Sequence, residues 1–257
     1  MPTYRLDLAY DGSTFFGYGI QDDVRTVQGE LERALSPHTG EATTAVAGRT
    51  DKGVHASAQV VSFESGELDR SYVMRSVNKQ LWPDIAVKSL VEVDASFHAR
   101  FSATGRAYLY RILSSPVHDP LRSARVWHMA NELDVGLMND AMGHLVGEHD
   151  FGSLCRRYRD RSTVRTIEWA LWGRSDDEIT LSIGAEAFCH QMVRSAVALA
   201  VGVGTQDVDP SSVPVILSSR DRSLTNGIAP AHALTLVAVA YGEPLPRPKW
   251  AAQGTGD

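Results

Sequence analysis

Thr43-Thr44-Ala45-Val46-Ala47 and Gln59-Val60-Val61-Ser62-Phe63 read as two strands, held apart by the polar stretch Gly48-Arg49-Thr50-Asp51-Lys52-Gly53-Val54-His55. A helix is expected on either side of this pair. Before it, Thr26 can cap a helix in which Val27, Leu31, Ala34 and Leu35 recur at helical spacing until Pro37 stops the pattern. After it, Asp69 can cap a second helix through Leu81, and Pro83-Asp84 ends it. The outer strands complete the unit. Tyr4, Leu6, Leu8 and Tyr10 alternate onto one face before Asp11-Gly12 breaks the run, and Ile85 to Val93 is rich in β-branched residues. The first part is therefore βαββαβ.

The second part repeats that order. A strand is expected at Arg106 to Leu113, a helix at Asp134 to Val146, and strands at Thr163 to Trp172 and Ile179 to Ala185. A long helix from about Phe188 to Val203, a short helical piece near Ser211 to Ser219 and a last strand at Leu234 to Tyr241 follow. The fold class is α+β: two ferredoxin-like βαββαβ halves with mainly antiparallel sheets and a cleft between them. The expected boundaries are residues 1–103 for the first half, 104–243 for the second, and 244–257 for a proline- and glycine-containing flexible tail.

Composition narrows the functional class. The 257 residues, 43% of them hydrophobic, can bury one large core or two small ones. The most apolar stretch, Ala196 to Val203, is too short to span a bilayer, and Met1 to Asp7 lacks the basic start and apolar run of a signal peptide. A cytoplasmic protein is expected. Cys155 and Cys189 lack the spacing of metal sites or disulfide frameworks and read as buried free thiols. The net charge of −6 argues mildly against nucleic acid, but Arg156, Arg157, Arg159, Arg161 and Arg165 cluster around Tyr158. On that patch alone, a solvated loop is the stronger reading.

A carboxylate at Asp51, flanked by Arg49 and Lys52 and by two glycines, can be held ionised and approached closely by a ligand. Taken in isolation, a tight turn with an incidental ion pair explains the same residues better. The rest of the chain changes that balance. Tyr10-Asp11-Gly12-Ser13, Thr26-Val27-Gln28, Gly48-Arg49-Thr50-Asp51, Phe97-His98-Ala99-Arg100-Phe101-Ser102-Ala103-Thr104, Gly147-Glu148-His149-Asp150-Phe151, Thr163-Val164-Arg165-Thr166-Ile167 and Met192-Val193-Arg194 occur in that order. Together they resemble, over nearly the whole chain, the pseudouridine synthases that modify tRNA anticodon arms.

The resemblance implies an isomerase that converts uridine to pseudouridine in the anticodon stem-loop, at positions 38, 39 and 40 by family default, with no cofactor and no metal. It implies Asp51 as the nucleophile, acting either by addition to the ribose C1′ or through a glycal-type intermediate. Arg194 matches the cation that pairs with the aspartate, Tyr108 the ring that stacks on the target uracil, and Arg49 the residue that fills the space of the flipped nucleotide. Tyr110 shares the face of Tyr108 by alternation, with core packing its expected role. tRNA as partner and a homodimer are further implications. The chain departs from the family pattern at Tyr18-Gly19, Lys52, Ala58 and Gln191, which bears on target choice and removes no proposed catalytic group. Two other readings compete: an RNA-binding homologue without catalysis, and, further off, a small-molecule hydrolase using Asp51.

Overall fold

The computed structural model describes residues 1–41, 43–158, 161–225 and 227–248. The chain forms two compact units, one of Met1–Thr104 with Thr235–Pro244, the other of Gly105–Leu234 with the chain from Leu245 onward. Of the expected tail, 249–257 lie outside the described residues.

In the first unit, β1 (Thr3–Tyr10) is flanked by β3 (His55–Glu64) and β4 (Ile85–Val93), antiparallel to both. The short β2 (Ala45–Val46) adds to β3, so the order is β4-β1-β3-β2, that of a ferredoxin-like sheet. The last strand, β10 (Leu234–Ala240), pairs parallel with the start of β3 through Thr235 and Leu236. It closes the chain's second half in sequence and counts, from Thr235 on, with the first unit in space.

Burial follows the patterns that predict these elements. Tyr4, Leu6, Leu8 and Tyr10 are buried along β1, as are Val27, Leu31, Ala34 and Leu35 on α1 (Val27–Thr39) and Val73, Val77 and Leu81 on α2 (Arg70–Leu81). Thr26 and Asp69 cap the two helices, accepting from Gly29 N–H and Tyr72 N–H. The stop expected at Pro37 is not observed. The proline cannot donate to the Arg33 carbonyl, but Ser36 Oγ donates to that oxygen at 3.0 Å and the helix continues to Thr39.

β3 begins at His55, four residues before the expected Gln59. A register shift between Leu8 and Tyr10 of β1 breaks the side-chain alternation there, which is why these residues look like loop in sequence. β2, expected over five residues, keeps only two.

The second unit carries the expected elements in order. Its sheet runs β5-β9-β8-β7, all antiparallel, from β5 (Gly105–Ser114), β9 (Glu178–Ala185), β8 (Val164–Ser175) and β7 (Gly147–Asp150). β7 and β6 (Trp127–Met129), which pairs parallel with β5, are too short to leave a periodic signal. α3 (Val135–Gly143) is capped by Asp134, and Gly204 at the end of α4 (Met192–Gly204) lets the Met138 side chain approach to 2.7 Å of where a Cβ would stand. α4 starts four residues later than expected because Gln191 adopts a left-handed φ of 66°, which breaks the helical path. α5 (Val213–Ser219) completes the described helices. The fold is thus α+β with mostly antiparallel strands. Both cysteines are free thiols, but only Cys155 is buried; Cys189 is half-buried, its thiol lowered to about 7 chiefly by a hydrogen bond with Cys155.

Candidate active site

Asp51 is half-buried on the turn between β2 and β3, and the first unit supports that turn from below. Tyr10, the last residue of β1, places its hydroxyl 2.8 Å from Thr50 Oγ1, both side chains being buried. Gln59 Nε2, wholly buried on β3, donates to the Gly48 carbonyl at 2.8 Å and to the Tyr10 hydroxyl at 3.2 Å. Tyr18 N–H donates to the Thr50 carbonyl at 3.0 Å, and Val54 N–H closes the turn on the Asp51 carbonyl at 3.1 Å. Each of these bonds fixes the carboxylate's own turn.

Two glycines permit the close packing. A Cβ on Gly12 would stand 2.0 Å from the Val54 carbonyl oxygen, and one on Gly17, whose φ is +102°, would stand 3.1 Å from that of Thr50. Gly12 N–H also donates to His55 Nδ1 at 3.0 Å, with Asp11 Oδ1 3.2 Å from the same nitrogen. The sequence shows the motif Tyr10-Asp11-Gly12 but not what it packs against, since Thr50 and His55 lie about forty positions further along the chain.

Arg49 is exposed on the same turn, and its side chain lies over Gly19, with Nε 3.3 Å from where a Cβ would be. The departure at Gly19 is therefore sterically linked to Arg49. Lys52, another departure, sets its ammonium 3.8 Å from the centroid of the Phe16 ring.

Tyr108 and Arg194 belong to the second unit. Tyr108 is 8% exposed on β5, and the Phe188 ring meets it edge-on at 5.3 Å. Phe188 can do this because α4 begins only after Gln191. Arg194 sits in the first turn of α4, where its Nε donates to the Ala229 carbonyl at 2.7 Å while Ala229 N–H returns a bond to the Arg194 carbonyl at 3.1 Å. Tyr110 is fully buried and donates to the neighbouring Pro230 carbonyl at 3.0 Å. One short segment, 229–230, thus locks the arginine and the core tyrosine together. That segment carries no motif, so nothing local in the sequence marks it. Gln191 accepts from Arg222 Nη2 at 2.7 Å, so this departure is part of the same end of α4.

Comparison with known proteins gives one consistent answer. The family model described as tRNA pseudouridine synthase matches residues 8–102 and 141–242. A tRNA pseudouridine synthase A of Caulobacter vibrioides is 38% identical over 250 residues, 95% of this chain and 100% of the relative. Proteins of that name from Thermotoga maritima, 38% identical over 91% of this chain and 97% of the relative, and Halalkalibacterium halodurans, 41% identical over 89% of both, are similarly close.

Proposed function

The chain belongs to the tRNA pseudouridine synthase family, and from that premise we propose that it isomerises uridines of the tRNA anticodon stem-loop, at positions 38, 39 and 40, with Asp51 as nucleophile. The reaction type is that of its family: an isomerase acting on tRNA uridine. The observation that carries the assignment to Asp51 is the support of its turn. A carboxylate on an ordinary surface turn is held by little, whereas Thr50 before Asp51 is tied to a buried side chain and to the backbone of another segment.

The chemistry asks for such a group. The C1′–N1 bond breaks, the uracil turns, and a C5–C1′ bond forms, while C5 gives up its proton to solvent and N1 takes one up. A carboxylate can hold the ribose fragment meanwhile, by adding to C1′ or by supporting a glycal-type intermediate. Tyr108, its ring braced by Phe188, is proposed to stack on the uracil and keep the detached base in place. Arg194, fixed by Ala229, is the proposed partner of Asp51, and Arg49 the side chain that fills the space of the everted nucleotide. A homodimer, implied by the family resemblance, and a cytoplasmic location, expected from the N-terminus and the lack of a long apolar stretch, belong to the same proposal. No described helix is long and apolar enough to cross a membrane.

The test is tritium release from tRNA carrying 5-tritiated uridine. Asp51→Asn should release none above background while binding tRNA within a few-fold of the parent protein. Turnover by that variant would remove Asp51 from the role. Mapping pseudouridine in tRNA from cells lacking the protein would locate the target positions.

A further inference from the structure

In the second unit a cavity of about 530 Å³ opens beside β7 and β8, lined by Asp150, Arg157, Tyr158, Arg161, Thr163 and Arg220 among others. The arginine cluster that reads in sequence as a solvated loop supplies two of its guanidinium groups, and a third arrives from the end of α5, some sixty residues on. Arg159 and Asp160 of that cluster lie outside the described residues.

The three arginines are placed, not merely near. Arg220 occupies a left-handed position, φ 56°, where a helix end favours glycine or asparagine, and its Nε donates to Asp150 Oδ2 at 2.8 Å. Asp150 Oδ1 meanwhile accepts from Gly152 N–H at 3.0 Å and from the Thr163 hydroxyl. The Thr163 bond chiefly, with Arg220 and Arg157 adding, holds this carboxyl below its ordinary range, so it stays ionised as an internal brace. Arg157 lies over Gly152, where a Cβ would meet its Nη2 at 2.3 Å. Arg161 lies over the half-exposed Tyr158 ring, 5.6 Å from its centroid. Among the described lining residues Asp150 is the one carboxylate, against three guanidiniums.

A site with excess guanidinium charge and an exposed ring suits a phosphodiester, whose paired oxygens a guanidinium fork can bind bidentately and whose adjoining base can meet the ring. We propose that this cavity is a docking site for the RNA sugar-phosphate backbone. The inference rests on tRNA being the substrate. It makes Arg157 and Arg161 affinity determinants: they set how long the tRNA stays bound.

The experiment measures equilibrium binding of a fluorescent tRNA transcript across a salt series, alongside tritium release under saturating tRNA. The double variant Arg157→Ala/Arg161→Ala should raise Kd on the order of tenfold or more and lower the slope of log K against log salt by about one for each phosphate the protein no longer grips. Its kcat at saturation should match the parent, and Arg161→Lys in the parent should keep most of the salt slope. Unchanged Kd and slope would overturn the proposal. So would a fall in kcat with Kd intact, which would move the arginines into the chemistry. If inorganic phosphate stabilises the parent but not the double variant against urea while tRNA binding is the same in both, the cavity holds a free anion and the RNA assignment fails. Failure of pseudouridine formation in the parent would sink the proposed function and leave this binding result standing, because the two readouts are separate.

Discussion

Tyr10 Oη lies 2.8 Å from Thr50 Oγ1, so the buried end of the first strand holds the residue immediately before Asp51. Gln59 Nε2 donates to the same tyrosine oxygen, so one hydroxyl joins the turn to β3. Tyr10→Phe deletes one oxygen and takes a hydrogen bond from each partner. Leaving a buried polar group unsatisfied costs about 1–3 kcal/mol, and the loosened turn carries the proposed nucleophile. We expect a lower urea midpoint and a fall in kcat larger than any rise in KM. A variant with parent-like stability and kcat would show that the turn holds itself.

The second prediction concerns Gly12. A methyl group there would sit 2.0 Å from the Val54 carbonyl oxygen, a backbone atom of the segment that follows Asp51. Backbone cannot step aside as a flexible side chain can. Gly12→Ala should therefore cost at least the roughly 1–3 kcal/mol typical of overpacking, and it should disturb the bond from Gly12 N–H to His55 Nδ1. Urea denaturation reads the first effect, and the chemical shift of the His55 ring the second. An unshifted midpoint would mean that the two segments part without cost.

These contacts show which parts of the molecule are legible in sequence. The helices are, because Val27, Leu31, Ala34 and Leu35 repeat at helical spacing and Thr26 and Asp69 announce their starts. β1 is legible through strict alternation. The start of β3 is not, since the irregularity opposite Leu8 and Tyr10 removes the alternation that a pattern reading needs. The start of α4 is hidden for a different reason: nothing in Phe188 to Gln191 signals that Gln191 takes a left-handed φ. Among the proposed site residues, Asp51 stands out through its motif, while Tyr108 is marked only by the family resemblance. Their supports do not stand out. Gln59, Phe188 and Ala229 act through contacts set by tertiary packing, which local composition does not encode.

Gly19 gives the third prediction. The Arg49 side chain lies against this glycine, its Nε 3.3 Å from where a Cβ would stand. Gly19→Gln should push the guanidinium off this surface. If Arg49 fills the space left by an everted nucleotide, its displacement should raise KM for structured tRNA more than for a short single-stranded uridine substrate, because only the former must have its stack opened. Equal effects on both substrates would separate Arg49 from eversion.

The last prediction follows from the buried tyrosines. Burial pushes the Tyr10 hydroxyl up to about 12, and it raises Tyr18 and Tyr110 as well, with Arg194 partly opposing it at Tyr110. A folded pKa above the unfolded value means that the native state holds its proton longer. The resulting stability is complete below the ordinary tyrosine value near 10 and is lost as pH climbs toward the folded value. Of the eight tyrosines in the chain, these three should then ionise together with unfolding, as a cooperative step in ultraviolet absorbance of the phenolate that coincides with loss of the circular-dichroism signal. Tyr10→Phe should shrink the cooperative step and shallow the alkaline limb of stability by one proton, because the group removed is one whose ionisation folding suppresses. A single smooth titration in the native protein would mean that solvent reaches these hydroxyls, and with them the underside of the turn that presents Asp51.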